Sequence, residues 1–201
     1  HVQGLPIKVM TPVDYVISSA NFPVLYILHD TDDGQHDENL ISTFSLLRNN
    51  MVSGKLTKSI VVEIPVGTME ISSALMMEIV GFIDTGYHSI SNRQGRVLLG
   101  NEAGGTLATT LVLDNPQVFA SCYLFNALLP DVSIGATGEV FYYLDATDEC
   151  SSYRGNHQLY AEIKNENIDY EYRVRQGSQN YQAFLNGLEG SVSSIKETLM
   201  N

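Results

Sequence analysis

Two hydrophobic patterns alternate along the chain. In short runs such as Val24-Leu25-Tyr26-Ile27-Leu28, apolar residues follow one another without polar alternation, which is typical of strands covered by helices on both faces. Between these runs, apolar residues recur three or four positions apart, which predicts amphipathic helices with one buried face. The alternation of strands and helices indicates an α/β protein with a mostly parallel sheet and helices on both faces.

These patterns divide the chain into elements. The apolar runs predict strands over Ile7–Met10, Val24–His29, Ile60–Ile64, Arg96–Leu99, Val118–Leu124, Val140–Leu144 and Tyr170–Val174. The helical spacings predict buried helix faces formed by Leu40, Ile41, Phe44 and Leu47; by Ile71, Leu75, Ile79, Phe82 and Ile83; and by Tyr181, Phe184, Leu185, Leu188, Val192, Ile195 and Leu199. No repeat or linker interrupts this order, so we expect one domain over residues 1–201.

The sharpest motif is the run Gly100-Asn101-Glu102-Ala103-Gly104-Gly105. Its spacing is that of a nucleophile elbow, G-x-S-x-G, with a glutamate at the serine position. A predicted strand, Arg96–Leu99, precedes the run, and an apolar helical pattern, Thr106–Leu113, follows it. The backbone context therefore favours a hydrolase, whereas the central side chain removes the usual nucleophile.

Polar residues follow three of the predicted strands. They form the segments His29–Asp33, Gly100–Glu102 and Asp145–Glu149. Because ligands of open α/β sheets bind at the carboxyl ends of the strands, we expect these segments to converge on one site.

Five segments together resemble the putative-esterase branch of the α/β-hydrolases, which includes esterase D and S-formylglutathione hydrolase-like proteins. In chain order they are Val9–Tyr15, Phe22–His29, Arg96–Gly105, Asn115–Phe119 and Gly177–Tyr181. The resemblance spans nearly the whole chain. It implies a compact α/β-hydrolase fold without a large cap, and a small-molecule ester or acyl compound as the ligand.

The resemblance also implies the positions of a catalytic triad. Glu102 occupies the serine position, Gln179 the histidine position and Asp148 the acid position, with Glu149 as the alternative acid. The triad is therefore degenerate, because both the nucleophile and the base of a serine esterase are replaced.

The oxyanion element of the family corresponds to residues on two segments. His29 is kept, and Asp30 replaces the glycine that follows it in the family. Ala103 follows the nucleophile position, and the backbone N–H of that residue faces the oxyanion in such enzymes.

The residues at the triad positions cannot run serine chemistry. Glu102 has no hydroxyl to deprotonate, and an ester formed on its carboxylate would still need a base to activate water. The amide of Gln179 does not titrate near neutral pH. These two replacements favour a catalytically silent esterase relative, a pseudoenzyme that acts in binding.

The position of Glu102 at the start of the elbow helix predicts a structural role for its carboxylate. Free N–H groups and the helix dipole stabilise an anion there by about 0.3–2 kcal/mol. We expect the carboxylate to occupy the oxyanion pocket, with Gln179 hydrogen-bonded to Glu102 or Asp148.

Two other functions remain open from the sequence. One is an active hydrolase of carboxylic esters or thioesters that uses Glu102 and Asp148 unconventionally, or His29 as base. The other is cation-dependent binding, because oxygen ligands suit Ca²⁺; the acidic side chains for it would be Asp30, Asp32, Asp33, Glu102 and Asp148.

Composition and charge limit the classes of binding partner that the sequence predicts. The net charge of −12 disfavours nucleic acid, since a phosphate backbone would be repelled. No apolar run approaches the ~20 residues that span a bilayer, which predicts a soluble protein, cytoplasmic or exported. Cys122 and Cys150 lack metal-ligand spacing, and their pairing stays open. We expect no metal and no cofactor; the oligomeric state is not determined by the sequence.

Overall fold

The computed structural model describes residues 1–30, 36–128 and 139–199, and its centre is a seven-stranded sheet. The strands lie in the order β1-β3-β2-β4-β5-β6-β7. Only β1 runs antiparallel to its neighbour, and the other pairs are parallel. The strands are β1 (Lys8–Met10), β2 (Val24–Asp30), β3 (Ile60–Val66), β4 (Arg96–Asn101), β5 (Ser121–Phe125), β6 (Phe141–Thr147) and β7 (Tyr170–Arg175).

Helices cover both faces of this sheet. They are α1 (His36–Val52), α2 (Ser73–Gly86), α3 (Ala103–Asp114), α4 (Tyr153–Asn165) and α5 (Tyr181–Thr198). One buried cluster joins the sheet to α2, α3 and α4, and a second joins it to α1 and α5. Alternate strand residues divide between the clusters, as Tyr26 and Leu25 of β2 do, because successive side chains of a strand point to opposite faces. The predicted α/β class and mostly parallel sheet are confirmed.

Each predicted strand is present, with small shifts at the ends. The largest shifts are in β5, which begins at Ser121 instead of Val118, and in β6, which ends at Thr147 instead of Leu144. Val118 instead closes a turn by donating its N–H to the carbonyl of Asn115 at 3.0 Å. The first residues of this apolar run therefore lie in a turn, and Val118 and Phe119 are buried there. A hydrophobic pattern does not distinguish buried turn residues from strand residues.

Two residues assigned to buried helix faces are exposed. Ile41 on α1 is 66% exposed and Phe82 on α2 is 43% exposed. Ile41 is adjacent to Leu40, which is nearly fully buried, and Phe82 is adjacent to Ile83, which is fully buried. One position is about 100° around a helix, which places both side chains at the margin of the buried stripe. Within the described ranges, no helix is long and apolar enough to cross a membrane.

Candidate functional site

Glu102 alone forms the bend between β4 and α3. Its backbone has φ +51° and ψ −116°, a region that L residues rarely occupy and that costs about 1–3 kcal/mol. The bend is held from both sides: the Glu102 N–H donates to the carbonyl of Phe125 at 2.8 Å, and the Thr106 N–H donates to the carbonyl of Glu102 at 3.1 Å. The strand–turn–helix context predicted from the sequence is therefore present, with the strained residue at its centre.

Two glycines of the motif permit this bend. A Cβ added at Gly100 would lie 2.3 Å from the carbonyl oxygen of Gly104, and one added at Gly104 would lie 2.2 Å from the carbonyl oxygen of Leu28. Both contacts are with backbone, which a rotamer change cannot relieve. The glycines therefore let α3 start directly against β2 and β4.

The backbone strain at Glu102 leads to a stability prediction. We expect Glu102→Gly to be more stable than Glu102→Ala by about 1 kcal/mol, because glycine adopts positive φ freely. At Ala103, the first residue of α3, the order should be the reverse: Ala103→Gly should cost about 0.5–1 kcal/mol. Urea unfolding of the three variants measures both differences. Equal stability of Glu102→Gly and Glu102→Ala would contradict a strained elbow.

The predicted self-occupied pocket is not formed. The half-buried Glu102 makes no side-chain hydrogen bond to the N-terminus of α3. Across the part of the chain that the structure describes, neither its carboxylate nor the amide of Gln179 hydrogen-bonds to another residue, so the expected bond from Gln179 to Glu102 or Asp148 is also absent. Helix polarity favours an anion near the N-terminus, but it does not set the direction of the Glu102 side chain. The positive φ of Glu102 sets that direction, which is why the prediction was wrong.

The residues predicted for the acid and histidine positions lie on two neighbouring loops that are joined by hydrogen bonds. Asp148 is exposed in the turn after β6, and its Oδ1 accepts the N–H of Gly177 at 2.8 Å. The next residue, Glu149, accepts the hydroxyl of Ser178 through Oε2 at 2.7 Å. Gln179 follows these two bonded residues on the same loop. Both candidate acids thus hold the loop that carries Gln179. The assignment of Gln179 to the histidine position and the choice between the two acids stay predictions.

His29 lies near the end of β2 and is buried, with 4% of its surface exposed. Its ring centre is 5.9 Å from that of Tyr181, and its Nδ1 is 4.0 Å from Oε1 of Glu63. Burial raises the pKa of Glu63 to about 7, partly opposed by Lys8. His29 is therefore part of a packed interior cluster. Asp30 ends β2, where it is paired in register with Val66, and Ala103 is exposed at the start of α3.

Residues that the sequence patterns missed join the ends of β5 and β6. Asn126, at φ +47°, accepts through Oδ1 from the N–H of Thr147 at 2.8 Å and from its hydroxyl at 3.1 Å. Ser152 donates its hydroxyl to the carbonyl of Asn126 at 3.0 Å. The sequence did contain one sign of this turn, an asparagine directly after an apolar run, because asparagine adopts a positive φ more readily than most residues. These bonds hold the end of β6, directly before Asp148, beside the end of β5, whose Phe125 accepts the N–H of Glu102 at the elbow.

A buried ion pair supports the same edge of the sheet. Asp145 on β6 is buried, and Nε of Arg175 donates to both of its oxygens, at 2.9 and 2.7 Å. Burial raises the pKa of Asp145, while Arg175 lowers it. The pair connects β6 to the strand that precedes the histidine-position loop.

A cavity of about 700 Å³ opens beside the elbow, between the start of α2 and the exposed side of α3. Its lining is mainly apolar and includes Val66, Met69, Ile71, Ala103, Leu107 and Leu111. A second cavity of about 490 Å³ touches the elbow helix at Thr106 and is also lined by Leu128, Ser151, Arg154 and Gln158.

The structure describes three of the five acidic residues predicted for a cation, Asp30, Glu102 and Asp148. Asp32 and Asp33 lie outside the described residues. Within residues 1–30, 36–128 and 139–199, no group of three or more His, Cys, Asp or Glu side chains is arranged to hold a metal ion. Cys122 and Cys150 are both buried and free.

Esterases with the α/β-hydrolase fold are similar to this chain in structure. A ferulic acid esterase superposes with a TM-score of 0.81 at 18% identity, over 96% of this chain and 92% of the esterase. S-formylglutathione hydrolase from Staphylococcus aureus superposes with a TM-score of 0.75 at 12% identity, over 94% and 91% of the two chains. A ferulic acid esterase from Anaeromyces mucronatus, solved with ferulic acid, has a TM-score of 0.78 at 13% identity, over 98% and 86%.

These likenesses confirm the predicted α/β-hydrolase fold. No protein-family model matches the sequence, and no curated protein matches it either. At identities this low the fold is established, and the activity has to be argued from the residues of the site.

Proposed function

We propose that residues 1–201 form one α/β-hydrolase domain that has lost esterase chemistry and binds a small ester or acyl compound beside the elbow. The observation that carries this proposal is the strained bend at residue 102. The chain keeps a backbone conformation that costs about 1–3 kcal/mol, in the geometry that presents a nucleophile, yet the side chain there is a glutamate.

The loss of chemistry follows from what each position can do. In a serine esterase, a histidine takes the proton of the serine and an acid orients the histidine. Here the acid position is kept, and Asp148 still binds the neighbouring loop through Gly177. Gln179 on that loop offers an amide, which neither accepts a proton near neutral pH nor activates water. His29 is buried against Tyr181 and near Glu63, so it does not replace the missing base.

The catalytic part of the proposal is tested with p-nitrophenyl acetate. We expect the parent protein and Glu102→Ala to give the same rate as buffer. Turnover by the parent that is lost in Glu102→Ala would overturn the proposal and identify a hydrolase that uses Glu102. A pH–rate limb in the histidine range would then indicate His29 as base.

The cavity beside the elbow is the proposed binding site. Its apolar lining and its contact with Ala103 suit a ligand whose apolar group lies along α3 while its acyl carbon approaches the elbow. Ferulic acid is a suitable probe, because a structurally similar esterase has been solved with it. Many small-molecule sites have volumes of about 300–1,000 Å³, and this cavity falls in that range. Its lining also provides polar groups, from Glu70, Ser72, Ser73, Thr106, Thr110 and Asp114.

Binding is tested with a matched pair of threonine variants. Thr110 on α3 lines the cavity, and Thr85 on α2 lies outside it. Both are exposed, and each donates its hydroxyl to the carbonyl four residues earlier. Titration with ferulic acid, followed by NMR, should perturb residues around Ala103 and Leu107. Thr110→Trp should weaken this response at least 10-fold, whereas Thr85→Trp should not. Equal binding by both variants would place the ligand elsewhere.

A further inference from the structure

The two edges of the sheet are built differently. β1 forms one edge with only three residues, and one of them is a lysine, Lys8. Short edge strands that carry lysine resist pairing with other chains. β7 forms the other edge with the six residues Tyr170-Glu171-Tyr172-Arg173-Val174-Arg175, in which tyrosine and valine favour β structure.

The backbone groups of β7 alternate between the side that faces β6 and the outer side of the sheet. On the inner side, the carbonyl of Asp169 accepts from Tyr142 at 3.0 Å, and the carbonyl of Arg175 accepts from Asp148 at 2.9 Å. Because the inward residues of a strand alternate with the outward ones, Tyr170, Tyr172 and Val174 direct their N–H and C=O groups away from β6. Within the described ranges, no hydrogen bond engages the backbone of these outward residues. Val174 is also 48% exposed.

The side chains of β7 separate by chemistry. Tyr170 and Tyr172 lie on the face of α4, where both rings contact the ring of Tyr160. The charged residues lie on the other face, where Nε of Arg173 donates to Oε1 of Glu171 at 2.6 Å. One face of the edge is therefore aromatic, and the other carries charges of both signs.

We propose that a second copy of this chain pairs with β7 in antiparallel register, with Tyr172 opposite the partner's Tyr172. In this register Tyr170 lies opposite the partner's Val174, so that the outward residues of both copies face one another and each pair exchanges two main-chain hydrogen bonds. The two sheets would then form one continuous sheet through a two-fold axis. Such an interface is self-complementary and closes on itself.

Charge selects this register over its neighbours. It places Glu171 opposite the partner's Arg173, and by symmetry Arg173 opposite the partner's Glu171. A shift of the centre to Arg173 or to Glu171 keeps the side-chain faces aligned but sets like charges directly opposite each other at the two-fold axis, which destabilises a strand pair. The Arg173-centred register would also pair Glu171 with the partner's Arg175, but only the Tyr172-centred register of the three avoids a like-charged pair. Since the chain carries a net charge of −12, two copies repel overall, and the balanced charges of β7 make this edge a favourable place for contact.

The proposal is tested by sedimentation equilibrium of the 201-residue chain at concentrations up to about 1 mM. We expect the parent to approach twice its mass of 22.2 kDa. Val174→Pro should abolish the dimer, because it removes an outward N–H that no described residue of the same chain uses. Val174→Thr keeps this N–H and a branched side chain, and should dimerise like the parent. Circular dichroism checks that each variant keeps the fold.

Charge reversal tests the charge pairing that this register predicts between the two copies. Glu171→Arg and Arg173→Glu should each weaken dimerisation at least 10-fold, because each sets like charges opposite one another. The double variant Glu171→Arg/Arg173→Glu restores opposite signs and should return to within a few-fold of the parent. A monomeric parent, a dimer that Val174→Pro leaves intact, or a double variant as weak as the single ones would each overturn the proposal.

Discussion

The double variant Glu102→Ser/Gln179→His is expected to hydrolyse p-nitrophenyl acetate at least about 100-fold faster than the parent. A general base contributes about 10²–10⁴-fold to such reactions, and the backbone around it is already in place. The elbow has the strained conformation that presents a nucleophile, and Asp148 and Glu149 hold the loop that would carry the histidine. The rate should rise with pH through about 6.5, since the neutral imidazole is the base.

The single variants are the controls for this gain. Glu102→Ser lacks a base and Gln179→His lacks a nucleophile, so each should stay near the parent rate. Activity in one single variant alone would show that another residue of the chain supplies the missing role. A folded double variant without activity would contradict the assignment of Gln179 to the histidine position.

Gly104→Ala is expected to cost about 3 kcal/mol or more of unfolding free energy, which corresponds to a fall of about 2–4 °C in Tm for each kcal/mol. The added Cβ would lie 2.2 Å from the carbonyl oxygen and 2.9 Å from the carbonyl carbon of Leu28. These atoms belong to the backbone of the buried β2, so the contact is relieved only if α3 moves away from the sheet. Thermal unfolding followed by circular dichroism measures the loss.

Gly81→Ala is the matched control. Gly81 is also a helical glycine, on α2, but a Cβ added there meets no atom within 4 Å. Alanine is the better helix former, so this variant should gain up to about 1 kcal/mol. If both variants changed stability alike, the close approach of α3 to β2 would not be what requires glycine at position 104.

Local patterns predicted the elements of this fold well because burial leaves a periodic signature. β2 and β4 are covered on both faces, and their apolar segments, Val24–Leu28 and Val97–Leu99, are not interrupted by polar residues. α5 shows a long series at helical spacing, and its buried residues include Phe184, Leu188 and Ile195. The same patterns were less accurate at margins, as the exposed Ile41 and Phe82 show, because the width of a buried stripe depends on what packs against it.

The candidate site was likewise predictable only in part. The spacing of the glycines predicted the elbow, since only glycine fits where backbones approach so closely. The hydrogen bonds were not predictable. Whether Glu102 caps α3 depends on the direction that the backbone gives its side chain. The bonds that Thr147 donates to Asn126 join residues 21 positions apart.

By itself, the sequence determined the class of the fold and the position of the elbow, because these depend on residue identity and short-range spacing. It also predicted glutamate and glutamine at the positions where the family resemblance expects serine and histidine. Only the tertiary structure decided which carboxylates hold the Gln179 loop, that Glu102 is not bonded to its own helix, and which residues of β7 face outward. Those properties depend on backbone direction and on contacts between strands far apart in the chain, and a linear pattern of polar and apolar residues does not encode either.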